Sequence, residues 1–195
     1  MQPWRTLPMP TSSDGSGRPA PRVYTIGHST RQVDEVVEML RKHGVGVLVD
    51  VRSFPASRKH PQWNQAALAE VLPADLRYHW IPALGGRRHT PAGVPTPNAG
   101  WRVKGFRDYA DYMGTTAFME GLDELEDLAA NAVPAIMCSE AVPWRCHRRL
   151  ISDALLVDGV EVIHLVSPAG ATPAELTPFA VVHGRTITYP PTAET

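Results

Sequence analysis

Residues 22–53 read RVYTIGHSTRQVDEVVEMLRKHGVGVLVDVRS, and this stretch decides the fold. RVYTIGHS is an apolar run closed by a polar turn, the pattern of a buried strand. Val33, Val36, Val37 and Leu40 then recur at i, i+3, i+4 and i+7, which gives a helix one apolar face. Ser29 with Gln32 fits a capping box, Asp34 and Glu35 suit the positive end of the helix dipole, and Gly44 suits the stop. VGVLVDVRS returns as a second buried strand. Strand, helix and strand with short joints form a βαβ unit, which implies parallel pairing and a right-handed crossover.

The alternation continues outward. FPASRKHPQWN is a loop, QAALAEVLPADL is helical until Pro73 interrupts it, and RYHWIPAL is a third strand. GGRRHTPAGVPTPNAGWRVKG is about twenty residues of Gly, Pro and basic side chains without periodicity, the pattern of a lid, a binding loop or a disordered segment. FRDYADYMGTTAFMEGLDELEDLAANA is helical in two pieces split near Gly114. VPAIMCSE is a fourth strand, and WRCHRRLISDALLVDG a helix with Leu150, Ile151, Ala154 and Leu155 on its core face. VEVIHLVS is a fifth strand, and FAVVHGRTITYP a hairpin around Gly184. The prediction is a three-layer α/β/α fold whose mostly parallel sheet of about five strands carries a C-terminal β extension, with an incomplete barrel-like α/β arrangement as the alternative. Residues 1–21 are rich in Pro, Ser and Gly without periodicity and read as a flexible tail. Residues 22–195 are left as a single α/β domain.

Composition narrows the function. Nineteen basic and 20 acidic residues give a net charge of −1, so a nucleic-acid surface would have to be local. Two cysteines do not make a disulfide framework. No apolar run approaches the roughly 20 residues of a membrane span, and the N-terminus lacks the apolar region of a signal peptide. The expectation is a cytoplasmic protein without a membrane partner. No pattern specifies a cofactor.

In a parallel sheet every strand-to-helix loop lies at the carboxyl edge, where ligands bind. Strand one ends in Gly27, His28 and Ser29. Strand two ends in Asp50 and Arg52, with Ser57 and Arg58 just beyond. Strand three is followed by Gly85, Gly86, Arg87 and Arg88, and strand four by Cys138, Ser139 and Glu140. One shared polar site is the economical reading.

Five motifs in fixed order, TIGHS, DVRSFPASR, LGG, MCSEAVPWRCHRR and LTPFAVVHGRTITYP, resemble the bacterial family catalogued as domain of unknown function 488. The resemblance spans about residues 23–190. It implies a compact α/β protein whose CxE…CHR segment is a functional centre, and it implies no reaction.

The residue types suggest roles. Arg145, His147, Arg148 and Arg149 crowd a predicted helix start, where the dipole disfavours cations unless an anion binds among them. Arg52, Ser57, Arg58, Gly85, Arg87, Arg145 and Arg148 are therefore the candidate substrate-binding residues, and a phosphate-containing small molecule or nucleic acid is the candidate partner. Cys146, beside a helix start and a histidine, is a candidate nucleophile. His147, His28, Glu140 and Asp50 are candidates for proton transfer. The rival for the Asp50–Arg52 pair is a structural ion pair, and for Cys138 simple burial in a strand. Six residues separate Cys138 from Arg145, not the five of a phosphatase loop, and C-x7-C-H is not a usual zinc spacing. No metal ligands are assigned. Three functions stay open: an enzyme acting on a phosphate-containing substrate, a non-enzymatic nucleic-acid or modified-base binding module, and a redox or metal-dependent thiol protein.

Overall fold

The structure, a computed structural model, describes residues 20–191. Apart from Ala20 and Pro21, the predicted tail lies outside the described residues. Five parallel strands, β1 (Arg22–Gly27), β2 (Val47–Asp50), β3 (Arg77–Trp80), β4 (Pro134–Cys138) and β5 (Glu161–Ser167), form one sheet. Strand β6 (Gly170–Pro173) closes one edge antiparallel to β5, giving the order β3-β2-β4-β1-β5-β6. The helices are α1 (Val33–Arg41), α2 (Gln65–Val71), α3 (Lys104–Met113), α4 (Thr116–Asn131) and α5 (Arg148–Val157). The C-terminal hairpin pairs β7 (Val181–His183) with β8 (Thr186–Thr188), and Gly184 supplies the left-handed φ of +59° at its turn. Among the described residues no helix is long and apolar enough to cross a membrane.

The period-2 geometry of the strands divides the core into two layers. Tyr24, Ile26, Leu48, Ala135, Met137, Ile163 and Leu165 share one face with Val36, Val37 and Leu40 of α1 and Leu68 of α2. Val23, Val47, Val49, Ile136 and Val162 share the other with α3, α4 and α5, through Tyr109, Met113, Phe118, Leu122, Leu150 and Leu155. The α/β/α layering follows, and the barrel-like alternative gives way to an open sheet.

Three local expectations change. Strands β1 and β2 run parallel but do not pair, because β4 inserts between them. The Ser29–Gln32 capping box does not form: Gln32 itself caps α1 without a side-chain bond, and Ser29 sits at φ +48° in the preceding turn. The helix expected from Trp144 starts only at Arg148, because Pro143–Arg145 closes a separate 3₁₀ turn.

Sheet order fixes where a ligand crevice opens. The chain leaves β2 through α2 toward β3 on one face, and leaves the adjacent β4 through α5 toward β5 on the other. Neighbouring strands whose connections diverge leave a crevice at their carboxyl ends. Beside it, the buried Asp50 carboxylate accepts from Arg52 Nε at 2.9 Å, from Arg52 Nη2 at 2.5 Å and from the Tyr78 hydroxyl at 2.8 Å. Arg52 Nη2 also donates to the Trp63 carbonyl at 2.7 Å. Removing one partner of a buried pair strands the other charge. Asp50→Ala is expected to lower unfolding free energy by about 3–5 kcal/mol, and Tyr78→Phe by about 1 kcal/mol. Urea denaturation of both variants checks this ordering.

Candidate functional site

A cavity of about 860 Å³ occupies the crevice. One wall comes from the loop after β2, with Arg52, Ser53, Phe54, Ser57 and Arg58. The facing wall comes from the loop after β4, with Cys138, Ser139, Glu140, Arg145, Cys146 and His147. Gly86 and Arg87 follow β3, and Val103 and Phe106 enter from the start of α3.

Close backbone approaches hold these loops. A Cβ on Gly27 would lie 1.8 Å from the Glu140 carbonyl oxygen, so the β1 end admits no side chain where the β4 loop crosses it. There the His28 and Ser29 amides donate to the Cys138 and Ser139 carbonyls, both at 3.0 Å. A Cβ on Gly86 would lie 2.4 Å from His147 Nδ1, so the second glycine of LGG makes room for the imidazole ring. The first glycine, Gly85, packs instead on Ser53, and Ser53 Oγ accepts from the Arg87 amide at 2.8 Å.

The two thiols meet at the cavity floor. Cys138 Sγ and Cys146 Sγ are 2.7 Å apart, both cysteines are free, and each is 3% exposed. Arg148 is buried beneath them. Its Nε donates to Cys138 Sγ at 3.1 Å and to Cys146 Sγ at 3.5 Å, its Nη1 to Thr25 Oγ1 at 3.3 Å, and its Nη2 to the Glu140 carbonyl at 2.5 Å. Amides of Glu140 and Arg148 also point at Cys138 Sγ and Cys146 Sγ. His147 Nε2 sits 2.8 Å from the Val51 carbonyl, which only accepts, so the imidazole proton is on Nε2. Its Nδ1 is then a free acceptor 3.5 Å from Cys146 Sγ.

The electrostatics separate the thiols. Burial pushes the Cys146 thiol up, but the hydrogen bond from Cys138 and the Arg148 charge outweigh it and bring it down to about 6. Burial and the Cys146 neighbour push Cys138 well up. Burial lowers His147, which keeps it neutral with Nδ1 unprotonated. Cys146 is thus the thiolate and Cys138 the protonated neighbour. Cys138, Cys146 and His147 offer three ligand atoms within 4.8 Å of one another, a juxtaposition that the C-x7-C-H spacing conceals.

The sequence-predicted residues do not all converge. Cys146, His147, Glu140, Arg52, Ser57, Arg58, Arg87 and Arg145 line the cavity. Asp50, His28, Gly85 and Arg148 are not on its wall. Asp50 is saturated by Arg52 and Tyr78, which leaves no lone pair for a substrate proton. His28 stacks on Trp63 at 4.6 Å, and burial and the Arg52 charge lower it to about 4. Arg148 spends its donors on the interior. Arg88 is structural too, bonded to the Gly85 and Ala83 carbonyls and stacked 3.7 Å over Tyr112. Trp101, in the long basic loop, is buried among Phe106, Phe179 and Tyr189. Sequence reasoning missed Ser53, Phe54, Val103 and Phe106 as wall residues. The thiol of Cys138, read from the sequence as a strand-end residue with burial favoured, is buried as expected, and its contact with Cys146 is what the sequence did not show.

Three exposed arginines remain for a ligand. Arg58, Arg87 and Arg145 form no salt bridge among the described residues. One carboxylate, Glu140, shares their cavity.

A thiol near 6 is testable directly. Iodoacetamide alkylation of Cys146 is expected to rise with pH through an inflection near 6, because only the thiolate reacts. In Arg148→Gln the inflection moves toward the ordinary cysteine value. Peptide mass mapping of the alkylated protein across pH measures both. An inflection unmoved by Arg148→Gln would refute the assigned electrostatic cause.

Comparison with known proteins yields one family. The family model described as Domain of unknown function DUF488 matches residues 32–155. The match takes in DVRSFPASR, LGG and MCSEAVPWRCHRR, whereas TIGHS and the closing LTPFAVVHGRTITYP, included in the span read from the sequence, fall outside it. Neither the curated proteins nor the solved structures compared give a match. With more than half of its residues matched, and with the β2 and β4 loops of the cavity inside the match, the chain belongs to the DUF488 family.

Proposed function

We propose that the protein is an enzyme acting on a phosphate-containing substrate, with the Cys146 thiolate as its nucleophile. One observation carries the reading: three uncommitted arginines share a cavity with a thiol that has a proton acceptor at 3.5 Å. Arg58, Arg87 and Arg145 hold the anion as charge-assisted donors. His147 stays neutral, its Nε2–H anchored on the Val51 carbonyl and its Nδ1 facing the Cys146 thiolate. Glu140, the acid of the cavity, is the candidate for protonating a leaving group. Arg148 positions the nucleophile and stabilises its charge without touching substrate.

A second reading, a non-enzymatic nucleic-acid or modified-base binding module, draws on the exposed aromatics. Phe54 is 64% exposed with Arg87 lying 5.6 Å over its ring, and Trp144 is 57% exposed on an adjoining cavity that shares Val103 and Phe106. Arginine beside open aromatic faces suits phosphate contact with base stacking.

Titration with inorganic phosphate, nucleoside phosphates and a short single-stranded oligonucleotide at low salt tests the anion pocket. Saturable binding that weakens with salt is expected, and Arg58→Ala, Arg87→Ala and Arg145→Ala each weaken it by about fivefold. Absence of binding by every probe sinks both readings. Binding without turnover of any probe, unaffected by Cys146→Ser, selects the binding module.

A further inference from the structure

The mechanism above uses one thiol, yet a second touches it. Cys138 Sγ lies 2.7 Å from Cys146 Sγ, on the same cavity wall, with Arg148 Nε bonded to both. A nucleophile that attacks carbon or phosphorus has no need of a second thiol in contact. A nucleophile that attacks sulfur does, because its adduct is resolved by a neighbouring thiol.

We infer that the site carries out thiol–disulfide exchange with an anionic low-molecular-weight disulfide, Cys146 attacking and Cys138 resolving. The inference rests on the anionic pocket proposed above and names the bond changed there. The Cys146 thiolate attacks one sulfur of RS–SR, the S–S bond breaks, and RS⁻ leaves and takes up a proton from solvent. The adduct is a mixed disulfide at Cys146, with its anionic group among Arg58, Arg87 and Arg145. Cys138 then loses its proton, attacks Cys146 Sγ and expels the second RS⁻, which takes that proton. The protein dithiol is oxidised by two electrons, and RS–SR is reduced to two RSH. The steps are reversible, and excess disulfide drives them forward.

The geometry divides the labour between the sulfurs. Cys146 directly follows the 3₁₀ turn that borders the cavity, and has His147 Nδ1 3.5 Å from its sulfur. Cys138 ends β4 and bonds only inward, to Arg148, Cys146 and the Glu140 backbone. An entering disulfide meets the Cys146 thiolate beside His147 Nδ1, whereas Cys138 has no imidazole among its partners. The arginines above the thiols favour a disulfide that bears phosphate or carboxylate over a neutral or cationic one.

The test incubates the reduced full-length protein with oxidised glutathione, coenzyme A disulfide, hydroxyethyl disulfide and cystamine, followed by intact mass and peptide mapping. Wild type is expected to end as an intramolecular Cys138–Cys146 disulfide. Cys138→Ser and Cys138→Ala are expected to stop at a mixed disulfide on Cys146, and Cys146→Ser to give neither product. Adduct formation by the anionic disulfides should exceed that by cystamine by about tenfold at low ionic strength, and the excess should shrink with salt. Glutathione reacting faster identifies carboxylate as the preferred anion, and coenzyme A phosphate; either order supports the exchange. The inference is overturned if no Cys138–Cys146 disulfide forms, if the trapped adduct sits on Cys138, or if rates ignore the charge of the disulfide. It is also overturned if the purified protein holds stoichiometric zinc that masks both thiols. Phosphate titration of Cys146→Ser separates the two ideas. Anion binding there with no exchange in wild type removes only the exchange, and exchange at rates blind to charge, with no anion binding, removes the pocket as well.

Discussion

A buried guanidinium without a carboxylate governs this site. Arg148 is 1% exposed, and among the described residues no Asp or Glu side chain bonds to it. A full positive charge taken out of water is tolerated only beside a compensating charge or a complete set of acceptors. The Glu140 carbonyl and Thr25 hydroxyl supply acceptors, and the only groups in contact able to carry negative charge are the two sulfurs. Two thiolates 2.7 Å apart would repel each other, so the site carries one charge, and it falls on Cys146, whose thiol is lowered where that of Cys138 is raised. The low thiol pKa and the buried arginine are then one fact seen from two sides.

That constraint reaches back into the motifs. The Glu140 carbonyl bonds to Arg148 only because Gly27, lacking a Cβ, lets the β4 loop cross the end of β1. His147 presents Nδ1 to Cys146 only because Gly86 leaves room for its ring and Val51 holds the opposite nitrogen. TIGHS, LGG and CHR lie far apart in sequence and meet around one ion. The Asp50–Arg52–Tyr78 cluster works differently. It secures the β2 loop by satisfying itself, which keeps Arg52 from the ligand and leaves the neighbouring Arg58 available.

Layering was legible because strands and helices carry their own periods. Val33, Val36, Val37 and Leu40 could face only one way on a helix, and the apolar strands implied burial on both faces. Strand order was not legible, since nothing local in β1 or β2 says that β4, more than eighty residues later, will come between them. The carboxyl-edge argument brought Cys146, His147, Glu140, Arg58, Arg87 and Arg145 to one cavity, because a parallel sheet puts every strand-to-helix loop at the same end. It failed for Asp50, His28 and Arg148, where a residue type fit for chemistry is consumed by packing. Helix pattern also ran too far upstream. Pro143 opens a 3₁₀ turn rather than α5, and that turn brings Cys146 back against Cys138.

Charge balance also gives the dithiol a direction. A thiolate compensates Arg148, and a disulfide, being neutral, does not. Forming the Cys138–Cys146 bond therefore strips a buried cation of its partner, so Arg148 stabilises the reduced state over the oxidised one. Dithiols whose reduced form is stabilised in this way are oxidants rather than reductants. The equilibrium at this site thus leans from protein disulfide toward protein dithiol, with an anionic thiol as the electron donor. The same lean keeps Cys146 as a free thiolate, which is the state that nucleophilic chemistry on any anion in the pocket requires. A carboxylate in place of the thiolate would neutralise Arg148 in every redox state and remove this bias. The lack of such a carboxylate is what ties the charge of the site to the state of its sulfurs.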